Sequence, residues 1–152
     1  MVATRNEPAG ALLREVVRLH ARAQRDAVAC QGVTVAQCHL LTELLRHGPA
    51  TVTALAGRLG VHKGWVSRGA AELGQEGLLA RQPGADGREV VLALSAAGKR
   101  RAEALERDLD AHAERVLERV PSAERTAIRA ALGALAGALR ADSEPTKPRS
   151  VR

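Results

Sequence analysis

Between residues 11 and 141 most apolar positions recur at three- and four-residue intervals, which predicts a largely helical chain. Leu13, Val16, His20, Ala23, Ala27 and Cys30 mark one face of a first helix, and Gly32 ends it. Thr34, followed by Gln37 three residues later, has the form of a capping box and opens a second helix through about Arg46. His47-Gly48-Pro49 stops that helix. Thr51 caps a short third helix carrying Leu55, Ala56 and Leu59, and Gly60 suits its left-handed end. A fourth helix follows from about Lys63 to Gln75, with Val66, Ala70 and Leu73 on its inner face.

The pattern changes after Gln75. Leu78-Leu79-Ala80-Arg81 and the valine-rich segment Glu89 to Leu94 read as two strands joined by the turn-rich stretch Gln82 to Arg88. Two short helices across a glycine turn form a helix-turn-helix, and a β-hairpin directly after it makes a winged helix. Ser95 caps a long helix from about Ala96 to Arg119, ended by Pro121. A final helix, about Ser122 to Ala141, repeats Ile128, Leu132, Leu135 and Leu139. Residues 1–10 read as a disordered lead-in and residues 142–152 as a disordered tail. The expected class is mainly α (α+β), with a winged helix-turn-helix lobe at 47–95 and a helical dimerisation region built from 11–46 and 96–141.

Composition narrows the function. The chain has 152 residues, enough for one ordinary domain with a buried core. Its most apolar run, Ala130 to Leu139, is ten residues, against the roughly 20 of a membrane helix, so no membrane role is expected. Phe and Tyr are absent and Trp65 is the only aromatic residue, so no aromatic platform for single-stranded nucleic acid can be built. The net charge of +6 is unevenly spread. Residues 46–101 carry nine positive and four negative side chains, whereas residues 102–152 carry nine of each. A basic middle in an otherwise balanced chain points to a polyanionic partner. No enzyme is expected. Gly98-Lys99 lacks the preceding glycine and following hydroxyl residue of a phosphate loop, and Glu103, Glu106, Asp110 and Glu114 interleave with arginines as solvent-facing ion pairs would.

Several pieces in order carry a resemblance: Val52-Thr53-Ala54-Leu55-Ala56-Gly57-Arg58-Leu59-Gly60-Val61, Val66-Ser67-Arg68, Glu76-Gly77-Leu78-Leu79, Asp86-Gly87-Arg88 and Leu94-Ser95-Ala96-Ala97-Gly98. With this order and spacing, residues 11 to 140 resemble the MarR family of bacterial transcriptional regulators. The resemblance implies a cytoplasmic homodimer whose first and last two helices pair with those of the partner. It implies binding to a pseudo-palindromic double-stranded DNA operator, commonly as a repressor released by a small-molecule effector. It also implies an apolar effector crevice between the DNA-binding lobe and the dimer helices. The chain departs from the family at His62, where a polar cap is usual, and at Gly64 and Trp65, where small polar residues are usual.

The DNA-binding candidates follow from placement. Lys63, Gly64, Trp65, Ser67 and Arg68 stand on the fourth helix, where Arg68 suits a guanine edge or a phosphate and Ser67 either. Trp65 suits a thymine methyl, or alternatively packing against the third helix. Arg88 at the wing tip suits a narrow minor groove, with an ion pair to Asp86 as its free-state alternative. Arg81 flanks the wing, and Thr51 and Thr53 suit phosphate at the third helix's start. Gly64, Gly69 and Gly74 suggest a fourth helix that is loose until DNA is bound.

The sensing candidates are Cys30, Cys38, His39, His20 and His112. Three readings stand: buried structural cysteines, a thiol switch, or a soft metal or metalloid effector site. Cys38 falls in the first turn of its helix, where the dipole favours thiolate. No cofactor is required. The competing function is a helical protein-interaction module, such as an anti-repressor, using the winged fold without DNA.

Overall fold

Hydroxyl side chains set three helix starts. Thr34 Oγ1 accepts the Gln37 N–H at 3.1 Å and Gln37 Oε1 accepts the Thr34 N–H at 2.9 Å, completing the expected capping box. Thr51 Oγ1 accepts the Ala54 N–H at 3.1 Å, and Ser95 Oγ accepts the Gly98 N–H at 2.9 Å. Each satisfies a donor that the helix itself cannot. The resulting elements, in a computed structural model describing residues 7–143, are α1 (Ala9–Ala29), α2 (Val35–His47), β1 (Ala50–Thr51), α3 (Val52–Leu59), α4 (Lys63–Gln75), β2 (Leu79–Pro83), β3 (Val90–Leu94), α5 (Ala96–Glu118) and α6 (Ser122–Ser143). α1 takes in Ala9 and Gly10, and α6 runs to Ser143, so each helix reaches into a segment expected to be disordered. The remainder of those two segments, residues 1–6 and 144–152, lies outside the described residues.

The winged helix-turn-helix is present, with a small antiparallel sheet in the order β1-β3-β2. β2 pairs with β3 from Leu79↔Leu94 to Pro83↔Val90, two residues beyond the expected end at Arg81. Pro83 sits on an edge strand, where a missing N–H is tolerated. β1, which pairs Ala50 with Leu92 and Thr51 with Val91, has no expected counterpart. Two residues are too few to show an alternating pattern. Gly60 ends α3 at φ 64°, the left-handed conformation expected there.

The chain forms two compact units that divide between Asp110 and Ala111, within α5. In the first, Leu40, Leu41 and Leu44 of α2 share one core with Leu55 of α3, Val66 and Leu73 of α4, Leu92 of β3 and Leu105 of α5. The apolar centre of the winged lobe is thus completed by α2 and by the start of α5. Polar ties reinforce it: Arg46 Nε meets Glu106 Oε1 at 2.5 Å, Arg101 donates to the Gln31 carbonyl, and Gln31 donates to Asp108. α1 buries only Val28 and leaves Leu12, Val16, Val17 and Leu19 exposed.

In the second unit, Arg125 donates to the Glu118 carbonyl at 2.8 Å and to the Val120 carbonyl at 2.9 Å, closing the end of α5. Arg129 pairs with Glu114 at 3.2 Å. None of its described residues is fully buried, and Leu132 and Leu135 are exposed.

Candidate nucleic-acid interface

α4 buries Val66, Gly69, Ala70 and Leu73, which turns Lys63, Gly64, Ser67 and Arg68 outward. Gly69 is a packing residue rather than a point of looseness. A Cβ there would lie 2.7 Å from Leu40 Cδ1, so the glycine lets α2 approach. Gly64 and Gly74 are exposed, and no neighbour closer than 3.8 Å would meet a Cβ at either. His62, the N-cap of α4, makes no side-chain capping bond, consistent with its being an unusual cap.

Trp65 is half-buried and packs against the core, which favours its packing role over an outward-facing contact. Thr51 is half-buried with its hydroxyl occupied by the α3 cap, so its oxygen already holds a backbone donor. Thr53 is exposed and lines an open depression at the α3–α4 turn with Gly57, Gly60, Val61, His62 and Lys63.

The wing is closed by backbone bonds from Gly84 N–H to the Glu89 carbonyl at 2.7 Å and from Gly87 N–H to the Gly84 carbonyl at 3.0 Å. Gly87 takes φ 69°, a conformation that suits glycine at this turn. The expected Asp86–Arg88 ion pair does not form. Asp86 Oδ1 instead accepts the Arg88 backbone N–H at 3.0 Å, so the carboxylate shapes the turn and leaves the guanidinium free.

The cations of α4 and the rest of the wing share this freedom. The charged groups of Lys63, Arg68, Arg81 and Arg88 are exposed and make no ion pair among the described residues. By contrast, Arg18 pairs with Glu15, Arg46 with Glu106, Arg58 with Glu43 and Arg129 with Glu114. Among the described residues, exposed cations without an ion pair also stand on α1, at Arg14, Arg22 and Arg25, and on α5, at Lys99, Arg100, Arg107 and Arg115; what marks α4 and the wing is that none of their cations is paired. That arrangement can exchange mobile counterions for phosphates.

Among the sensing candidates of the first unit, the two cysteines differ in exposure. Cys38 is fully buried, and burial first, then the charge of Glu106, pushes its thiol pKa up. Burial and the nearby Glu106 thus act against the thiolate that the helix terminus was expected to favour at Cys38. Cys30 is exposed at the end of α1, so the reading of both cysteines as buried is corrected. His39 lies 3.3 Å from Gln24 Nε2 and is held below the ordinary imidazole value by burial, while His20 is exposed. His112 is half-buried in the second unit. Among the described residues no three His, Cys, Asp or Glu side chains form a group able to hold a metal ion. At neutral pH a disulfide thiol reagent is expected to label Cys30 within minutes, and Cys38 only on unfolding. Equal labelling rates in the native protein, followed by absorbance of the released thiol, would contradict this.

Two relations escaped the sequence reading. Gln37, read only as a cap, also reaches Glu72 and Glu76, and Gly98 lies against the backbone of Leu78. The four-residue spacing of the two acids was visible, but nothing local named their partner.

Residues 33–90 match the model of the MarR family. No curated protein matches the chain. YusO from Bacillus subtilis is 26% identical, with 87% of this chain and 99% of that chain covered and a TM-score of 0.68. Wild-type MarR from E. coli, in its apo form, is 23% identical over 85% of this chain and 97% of that one, with a TM-score of 0.75. CouR from Rhodococcus jostii RHA1, in a structure bound to p-coumaroyl-CoA, is 20% identical over 93% and 95%, with a TM-score of 0.75. The chain has the winged-helix fold of these proteins.

Proposed function

Starting from a MarR-family module at residues 33–90, in the fold that such regulators share, we propose that the chain is a sequence-specific, double-stranded DNA-binding transcriptional regulator. The observation that carries this reading is the set of free, exposed cations on α4 and the wing. In the proposed complex α4 enters the major groove, with Arg68 and Ser67 reading base edges or phosphate and Lys63 holding phosphate. Gly64 lets the helix approach closely. Trp65 supports the helix from behind. Arg88 enters the minor groove, Arg81 holds the flanking backbone, and Thr51 and Thr53 stand at the α3 start beside phosphate.

The regulator is a cytoplasmic homodimer on a pseudo-palindromic operator, acting by binding rather than catalysis. The exposed apolar residues of α1 and α6 support the dimer, since isolated chains rarely leave such side chains in water without a partner surface. Residues 47–95 serve as its DNA-reading lobe, and residues 11–46 and 96–141 supply its dimer helices. It represses until a small molecule releases it. The p-coumaroyl-CoA bound by CouR supports an organic effector over a metal.

The test is calorimetric titration with duplex DNA from upstream of its own gene, and with a duplex that the protein itself selects from a random-sequence library. The affinity is expected to fall steeply with salt, and each phosphate-binding cation removed should flatten the log–log slope by about 0.9. Failure to select any duplex, with no salt-dependent binding, would favour the protein-interaction module.

A further inference from the structure

Gln37 is the buried polar side chain among the described residues. Its Oε1 accepts the Thr34 N–H, which accounts for one end of the amide. The other end faces α4: Nε2 lies 3.4 Å from Glu72 Oε2 and 3.5 Å from Glu76 Oε1. An amide nitrogen has two N–H donors, so one side chain serves both carboxylates. Nothing in α4 itself favours this pair. Like charges four residues apart on a helix repel, and carboxylates near a helix C-terminus oppose its dipole. The donor that draws them together comes from α2.

We propose that Gln37 is a positioning residue for DNA recognition, anchoring the C-terminal end of α4 to the start of α2. The exposed cations of α4 lie toward its other end, at Lys63 and Arg68, so a change of pitch at Glu72 and Glu76 swings them against the groove. The anchor is itself referred to α5. Gln31, in the turn that precedes the Thr34 cap, is held through its carbonyl by Arg101 and through its side chain by Asp108. Core packing of Val66, Gly69, Ala70 and Leu73 seats α4, and this amide additionally ties its C-terminal end to the α1–α2 turn. This inference rests on the DNA-binding reading.

The substitution Gln37→Glu separates anchoring from capping. Glutamate also serves as the acceptor in a capping box, so the start of α2 is retained. On the α4 side a third carboxylate replaces the donor. The readout is the ratio of affinities for the selected duplex and a shuffled one, because a change in overall charge moves both affinities together, whereas misplacement removes the difference. Q37E is expected to lower that ratio about tenfold or more, with faster amide exchange in the last turn of α4. Adding Glu72→Gln and Glu76→Gln to Q37E supplies amide donors from the opposite side and is expected to restore the ratio.

Should Q37E not fold, Glu72→Ala with Glu76→Ala removes the acceptors from exposed positions and leaves the cap intact. That variant is also expected to lose the ratio. A folded Q37E, or the double alanine variant, with an unchanged ratio would overturn the positioning role while leaving DNA binding in place. Loss in Q37E without recovery in the triple variant would also overturn it. A wild-type protein that selects no duplex would remove both readings together.

Discussion

Replacing Gly98 with alanine is expected to cost roughly 3 kcal/mol or more of folding stability, at or above the upper end for overpacking a tight site. A Cβ at this position would lie 1.9 Å from the Leu78 carbonyl oxygen and 2.9 Å from its carbon. Both are backbone atoms, so no rotamer change relieves the contact. The surroundings are also fixed. Ser95 N–H donates to that same carbonyl at 3.0 Å, Ser95 Oγ donates to the Gly77 carbonyl at 2.7 Å, and Gly98 N–H donates to Ser95 Oγ. The first turn of α5 is thus bolted onto the chain entering β2, and a methyl group must force the two apart. The contrasting substitution is Gly74→Ala, in α4, where an added Cβ meets nothing within 4 Å. It is expected to stabilise by about 0.5–1 kcal/mol. Urea denaturation at one protein concentration, followed by far-ultraviolet circular dichroism, measures both. A Gly98→Ala protein within about 0.5 kcal/mol of wild type would mean that the α5–β2 junction yields far more readily than its geometry implies.

Arg68→Ala is expected to weaken binding to the selected duplex about ten- to hundredfold, the loss of roughly 1–3 kcal/mol for a good base contact. Arg68 stands exposed on α4 without an ion pair, so its removal leaves no orphaned carboxylate in the protein. Arg68→Lys divides the two roles proposed for it. Lysine keeps a point charge for phosphate but lacks the planar fork that grips a guanine edge. If Arg68 reads a base, the lysine variant keeps the salt slope and loses preference for the selected sequence. If it holds phosphate alone, lysine recovers nearly everything. Arg58→Ala is the matched control, because Arg58 stands 3.8 Å from Glu43 and is already paired. Equal losses at Arg58 and Arg68 would argue against a reading face on α4.

Features written in neighbouring residues were legible in the sequence. Thr34 with Gln37, Thr51 at the start of α3, Gly60 at its end and Ser95 before α5 all do what their local chemistry dictates. What escaped depends on residues far apart in the chain. The exposure of Cys30 and burial of Cys38 follow from how α1 ends and how α2 enters the core, not from their spacing. Asp86 and Arg88 suggested a charge pair, but turn geometry places the backbone N–H of Arg88 nearer the carboxylate than its own guanidinium. The Gln37 contact spans 39 residues to Glu76, beyond the reach of any periodicity argument. For the candidate interface, the sequence indicated which cations lie on α4 and the wing. Only the fold distinguished the cations already neutralised from those free to meet another charge.

Trp65 has a consequence for observing the protein. With no Phe or Tyr in the chain, this half-buried indole is its only aromatic chromophore. Its ultraviolet absorption and emission therefore report one site, the first turn of α4, where the helix packs against the core. In most proteins such a signal averages several rings in unrelated places. Here a shift in emission wavelength, or quenching by a nearby base, would be a label-free record of α4 alone. The same economy means that its absorbance at 280 nm, and any concentration read from it, rests on a single side chain.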